Sequence, residues 1–424
     1  MSLEFPKGFL WGSATSAHQV EGNNHNDWTE WERACAARLA IEAKARHGSD
    51  PRWAFPEAFE PENYVSGQAC DHYNRFREDF DIARSLGQNA HRFSIEWSRV
   101  EPKEGLFDEA ALTHYREVLL ALRKRGMEPF VTLWHWTNPT WIRDIGGWEN
   151  KKTIGYFLRY LEKVLDAFAH ERVTFWMPLN EPGTYVGLGY IQGSFPPALK
   201  SIRKANRVFK NLMTAYRKSY ALIHEKRADA MVGMSHYAIY MRSHKNLPWN
   251  TLLVKLLDYI RNWRFLNSIN RTNDFIGIQY YHVDTINVKF AKARWGPIDT
   301  VVSEPWITDT GWEVYPEGLY HILKRARRYQ KPIFITENGL ADARDAHREK
   351  FIKKNLMQVL RSVREGVDVR GYFYWSLLDN FEWEKGFWPR FGLVAVDYKT
   401  MERKVRPSAR AYAAICRSNA IPGD

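Results

Sequence analysis

Cysteine is scarce in this chain: Cys35, Cys70 and Cys416 are the whole complement of 424 residues. Odd in number and far apart, they supply neither a disulfide framework nor metal-ligand spacing. A reducing compartment, the cytoplasm, is therefore expected. No 18 apolar residues run uninterrupted, and residues 1–9 lack a basic region followed by an apolar one, so neither a membrane span nor a secretory leader is expected. Gly/Ser-rich and Pro-rich linkers, low-complexity tracts and shifts of composition are also missing, so residues 1–424 read as one domain. His135, His236 and His282 stand alone, and no His-x-x-x-His pair occurs. That leaves metal catalysis without a ligand set. The Gly-rich stretch 187–193 has the wrong spacing for a dinucleotide loop and reads as a turn.

Aromatic residues, by contrast, are plentiful: 18 Trp, 21 Tyr and 23 Phe make up 15% of the chain. For a soluble protein this is more than a core needs, and some rings are expected to face a ligand. The formal charge is +12. The densest basic runs, 200–210 and 324–331, interleave apolar positions as the exposed faces of amphipathic helices do. No stacking platform or reading helix accompanies them, so no nucleic-acid partner is expected. Residues 249–265 mix Leu, Trp and basic side chains as interfacial helices do. The reading preferred here is a crossover helix packed on the sheet, without stable membrane insertion.

Eight short β-prone runs recur, at 9–14, 89–94, 129–134, 174–179, 231–235, 275–280, 332–336 and 372–376. Helical periodicity separates several of them, at 108–125, 152–170, 202–227, 316–329 and 347–365. Strands alternating with crossover helices imply a parallel sheet, and eight of them predict closure into a single (β/α)8 TIM barrel. Such a barrel carries its active site at the C-terminal ends of the strands.

Those ends carry the chemistry. The first run leads to Gln19, the second holds Arg92 and ends at Glu96, and the third ends Trp134-His135-Trp136. The fourth ends Asn180-Glu181-Pro182, the sixth Gln279-Tyr280-Tyr281 and the seventh Glu337-Asn338-Gly339. The eighth ends at Trp375, with Glu382-Trp383 beyond. One carboxylate after a strand usually caps a helix or pairs with a neighbour. Two of them, Glu181 and Glu337, point into one mouth if the barrel closes. Paired carboxyls across a sugar ring are what glycosidic cleavage requires, roughly 5 Å apart in retaining enzymes. Arg92 would keep a nucleophilic Glu337 ionised, with Tyr281 donating to it, whereas burial and its negative neighbour would raise the pKa of Glu181.

The sequence also resembles glycoside hydrolase family 1, the β-glucosidase and β-galactosidase family. The resemblance runs in order through FLWGSATSAHQVEG, HRFSIEWSRVEP, TLWHWTNP, PLNEP, DFIGIQYY, TDTGWEVYPEGL, FITENG and YWSLLDNFEWEKGFWPRFGL, over nearly the whole chain. It implies a retaining exo-β-glycosidase, a β-glucosidase with β-galactosidase and β-fucosidase side activity, working through a covalent glycosyl-enzyme intermediate. It implies no metal and no organic cofactor. Glu181 matches the acid/base, Glu337 the nucleophile and Asn180 the residue that meets the sugar 2-hydroxyl. Gln19, His135, Trp136, Glu382 and Trp383 match the sugar-binding set; Trp375 is its stacking floor with Phe391 beside it, and Trp312 is the aglycone platform. The partner would be a small β-glycoside or oligosaccharide.

Departures from that resemblance are local. His18 stands where many members have Tyr, Gln279 replaces an Asn near the nucleophile, Thr137-Asn138 replaces Asp-Leu, and Tyr216 replaces His. The stretch 262–272 is short, which predicts an open aglycone side. Glu382 in place of a phosphate-binding set predicts non-phosphorylated substrates. A transglycosidase, a 6-phospho-β-glycosidase and a carbohydrate-binding pseudoenzyme remain the alternative readings.

Overall fold

The computed structural model describes residues 3–50, 53–288, 298–300 and 306–422. Eight parallel strands close into a barrel: β1 (Leu10–Ala14), β2 (Ala90–Ser94), β3 (Glu128–Thr132), β4 (Phe175–Met177), β5 (Met231–Tyr237), β6 (Phe275–Gln279), β7 (Ile333–Asn338) and β8 (Val369–Trp375). Each strand pairs with its successor in the chain, and β8 pairs back onto β1 from Leu10↔Gly371 to Ala14↔Trp375. The (β/α)8 architecture expected from the sequence is thus the one observed.

The barrel interior is filled by aromatic rings. Phe130, Phe275, Phe334 and Phe373 are buried with Phe175 packed against them, and Phe130 stacks on Phe175 at 4.1 Å between centroids. Small residues make room for this. A Cβ on Gly12 would lie 2.5 Å from the Ala90 carbonyl oxygen and 2.8 Å from the Phe373 ring, and one on Gly233 would lie 2.4 Å from the Phe275 ring. Each buried ring contributes roughly 2 to 3 kcal/mol through the apolar surface it removes from water.

The crossovers are α1 (His72–Ser85), α2 (Glu109–Lys124), α3 (Lys152–Ala167), α4 (Ile202–Lys226), α5 (Pro248–Asp258), α6 (Arg264–Ile269), α7 (Pro316–Ala326) and α8 (Arg348–Arg364), and α9 (Pro407–Ser418) follows β8. In α2, Asp108 caps the first turn by accepting from the backbone N–H of Ala110 and Ala111 at 2.8 and 3.1 Å. Leu112, Tyr115, Val118, Leu119 and Leu122 then recur at helical spacing and are buried. The periodic pattern begins one residue early because the cap itself is not helical. The shorter β4 ends at Met177, and pairing resumes at Asn180, whose N–H donates to the Trp134 carbonyl at 2.9 Å and which bridges Ser235.

Between β5 and β6 the expected crossover is present but differs from the reading made of residues 249–265. A π-helical turn, Tyr259–Trp263, joins α5 to α6, and α5 packs on two short strands at the barrel rim, Tyr240–Ser243 and Val283–Val288. Its Leu252, Leu256, Tyr259 and Ile260 are exposed instead of packed on the sheet. No helix among the described residues is long and apolar enough to cross a membrane.

Candidate active site

The strand ends converge on a buried network at the C-terminal mouth of the barrel. Arg92, on β2, has no exposure and sits at its centre. Its guanidinium pairs with the Glu337 carboxylate through Nη1 and donates from Nη2 to Asn180 Oδ1 at 2.6 Å. On the other side of Glu337, the Tyr281 hydroxyl donates to Oε2 at 2.5 Å. Glu337 is therefore held by one cation and one hydroxyl.

Glu181 is held differently. Its backbone N–H donates to the Ser235 carbonyl at 2.9 Å, and it lies at a φ of 39° at the start of the short helix Pro182–Val186. Trp136 and Trp383 also adopt positive φ, 79° and 51°. Three non-glycine residues in the left-handed region at one mouth is the clustering seen where surrounding structure forces a site geometry. Burial lifts the Glu181 carboxyl well above the ordinary carboxylate range, and the charge on Glu337 pushes it further. Burial raises Glu337 as well, but the Arg92 guanidinium and the Tyr281 and Arg92 hydrogen bonds oppose the rise. Of the two carboxyls, Glu181 keeps the proton.

The Asn180 amide can be oriented from its partners. Oδ1 accepts from Arg92 and, at 3.0 Å, from Gln279 Nε2, so the amide nitrogen faces His135 Nε2 at 3.0 Å. The imidazole must accept there, which leaves its proton on Nδ1. Burial and the nearby Arg92 push the His135 pKa well below 6.5, in keeping with a neutral ring. Among the described residues, His135 Nδ1 and Gln279 Oε1 have no hydrogen-bond partner despite being buried. A buried N–H without a protein partner is a place for a ligand acceptor.

One wall carries the remaining polar residues. Gln19 Nε2 donates to the Phe381 carbonyl at 2.8 Å and to Glu382 Oε2 at 3.3 Å. Burial raises the Glu382 carboxyl to about 8. Trp383 packs on Trp136 at 4.8 Å, and both Trp383 and Trp375 lie roughly parallel to the His135 ring, at 6.0 and 6.2 Å. Trp136 donates from Nε1 to the Asn180 carbonyl at 3.0 Å. Across the mouth, Trp312 is half-buried and packs with Tyr281 and Phe391 at 5.7 and 6.4 Å. Eleven of the fourteen residues singled out from the sequence are linked by these contacts through Arg92, Asn180 and the aromatic rings, whereas Gln19 and Glu382 form a pair of their own and Glu181 follows Asn180 in the chain.

His18, noted in the sequence as a departure, stacks on Trp383 at 5.5 Å and contacts Glu32 at 3.3 Å. Other supporting residues escaped the sequence reading. Ser16 donates to Gln19 Oε1 at 2.6 Å, and Asn380 donates to Glu382 Oε2 at 3.3 Å. Tyr237, at the end of β5, packs on Tyr281 at 5.9 Å. Its signal was available: the fifth run continues two residues past Ser235 in the same alternating pattern. Of the departures, Thr137 donates to Glu96, Asn138 donates to Asp27, and Tyr216 donates to Asn273 in the core away from the mouth.

The sequence pattern of glycosyl hydrolase family 1 matches residues 1–251 and 262–421. The β-glucosidase A of Thermotoga maritima is 32% identical to this chain, with 99% of each sequence covered. Among solved structures, a β-glycosidase from Pyrococcus horikoshii superposes with a TM-score of 0.89 at 37% identity, covering 100% of this chain and 97% of that one. A β-glucosidase from Thermotoga maritima in complex with glucoimidazole gives 0.87 at 29% identity, over 99% and 100% of the two chains.

Proposed function

The chain belongs to glycosyl hydrolase family 1 and is a glycoside hydrolase, and from that premise we propose a retaining exo-β-glucosidase in which Glu337 is the nucleophile and Glu181 the acid/base. One observation carries the assignment: two buried carboxyls share a mouth, but only Glu337 is paired with a guanidinium and a phenol. An anion held in this way can attack; a carboxyl lifted by burial can give up a proton.

In the first step a Glu337 oxygen bonds to the anomeric carbon as the glycosidic C–O bond breaks, and the Glu181 proton goes to the departing oxygen. In the second, Glu181, now ionised, takes a proton from water, whose oxygen attacks the anomeric carbon and releases Glu337. The free N–H of the neutral His135 and the second amide hydrogen of Asn180 are donors to sugar hydroxyls. Gln19 and Glu382 supply the paired acceptor and donor groups, and the indole of Trp375 offers a flat face to the C–H side of a pyranose. Gln279 holds the Asn180 amide from its own, longer side chain.

Glu382, buried and raised to about 8, supports non-phosphorylated substrates: protonated it offers a sugar phosphate no counter-charge, and ionised it repels one. The termini support reading residues 1–424 as one domain: Phe5 N–H donates to the Asn419 carbonyl, and Trp11 Nε1 donates to Asn419 Oδ1 at 2.9 Å. Three free cysteines agree with a cytoplasmic location.

An aryl β-glycoside panel tests the proposal. Wild type should cleave the glucoside, with lower kcat/KM on galactoside and fucoside and less still on the 6-phosphoglucoside. Glu337→Gln should lose at least about 10⁴-fold in kcat/KM. Undiminished hydrolysis in that variant, or preference for the phosphorylated sugar, would overturn it.

A further inference from the structure

A helix that covers a barrel ordinarily turns its apolar face to the sheet and its polar face to water. The stretch running from α5 through the π-helical turn departs from this. Apart from Trp263, its buried anchors are polar, and Leu253, Val254 and Leu257 are half-buried. Asn250 donates to the His244 carbonyl at 3.0 Å, and Asn262 spans the Ile239 backbone, accepting from its N–H at 3.0 Å and donating to its carbonyl at 2.7 Å. Buried Asp258 accepts from Trp263 Nε1 at 3.0 Å and pairs with Arg325.

The outward side chains are Leu252, 71% exposed, Leu256, 54%, Tyr259, 48%, and Ile260, 44%. Their spacing, i, i+4, i+7 and i+8, makes one stripe along one side of the helix. Lys245, Lys255 and Arg261 are exposed on the same stretch, Arg261 reaching Asp284 of the rim strand at 3.3 Å, and Asp258, turned inward, is the one acidic residue between positions 244 and 264. The stripe is also additional to the common family pattern, because the match to that pattern breaks off over residues 252–261.

We propose that this stripe is a docking surface for an anionic lipid bilayer, entered by the four apolar side chains while the flanking cations meet lipid phosphates. An apolar stripe with basic flanks and no outward acid is the composition that lies in the headgroup region. The chain's charge of +12 adds long-range attraction to such a surface. A second copy fits less well: a two-fold contact through the stripe would bring the same cations of both copies together. The helix lies in the interface and is too short to span it. Because α5 packs on the rim strand that continues from Tyr281, docking here sets the barrel mouth beside the bilayer.

Co-sedimentation of the full chain with vesicles tests this without reference to turnover. At low salt the protein should pellet with phosphatidylcholine/phosphatidylglycerol vesicles, and less with phosphatidylcholine alone or at high salt. Leu252→Ser/Leu256→Ser keeps the net charge and should lower partitioning at least about tenfold. Its aryl glucoside hydrolysis should match wild type, which shows that the fold is intact. Wild type that stays in the supernatant with anionic vesicles overturns the proposal, as does a double variant that pellets equally. A concentration-dependent dimer abolished by the double substitution would assign the stripe to a second copy and would overturn it too.

Discussion

In the proposed mechanism Glu181 gives its proton to the leaving oxygen, and burial together with the charge of Glu337 favours the protonated carboxyl. Glu181→Gln should therefore cut kcat/KM on alkyl glucosides by about 10² to 10⁴. A dinitrophenyl glucoside, whose leaving group needs no proton, should suffer far less in the first step, and the alkaline fall of the pH profile should vanish. Steady-state rates across pH for both substrates would check this. Glu382 makes a second, opposite demand. Its carboxyl is raised from 4.5 to about 8, so its contribution to folding is present at low pH and lost as pH climbs through that window. Glu382→Gln, which cannot ionise, should have a Tm near that of wild type at about pH 5 and above it at about pH 9. The same variant should lose glucoside binding, seen as a raised KM. A lower Tm at the higher pH would contradict the burial argument.

At the scale of elements, the barrel depends on aromatic rings pressed against glycine-bearing strands. Phe130 on β3 touches rings from β4, β6, β7 and β8. Phe130→Ala should destabilise by about 3 to 5 kcal/mol, read as a lower urea midpoint, because the strands around it cannot collapse into the space. An exposed position such as Leu120 on α2 should move the midpoint far less. The short β4 shows the same economy in the site. The chain interrupts its pairing after Met177 and resumes it at Asn180, which bridges Ser235, so that Asn180 reaches Arg92 and Glu181 the Ser235 carbonyl.

Across the whole molecule, the barrel was legible because each strand is a short apolar run and each major crossover carries its own periodicity. The two glutamates were legible because strand ends in a closed barrel share one mouth. What escaped depends on three-dimensional neighbours. Ser16 and Asn380 matter through the side chains they hold, and Tyr237 through the way β5 runs on toward Tyr281. The orientation of α5 escaped for another reason: its periodicity shows that a stripe exists, but not which way it faces. Asp258 and Asn262 anchor it through contacts with Arg325 and Ile239, distant in sequence, and Asn250 through the nearby His244. The environment of Glu337 is the point on which the account depends, and it can be tested in one step. Incubation with a dinitrophenyl 2-deoxy-2-fluoro-β-glucoside, followed by intact-mass and peptide mass spectrometry, should find one fluoroglucosyl ester, on Glu337, and none in Glu337→Gln. An adduct on another residue, or an adduct that persists in the variant, would contradict it.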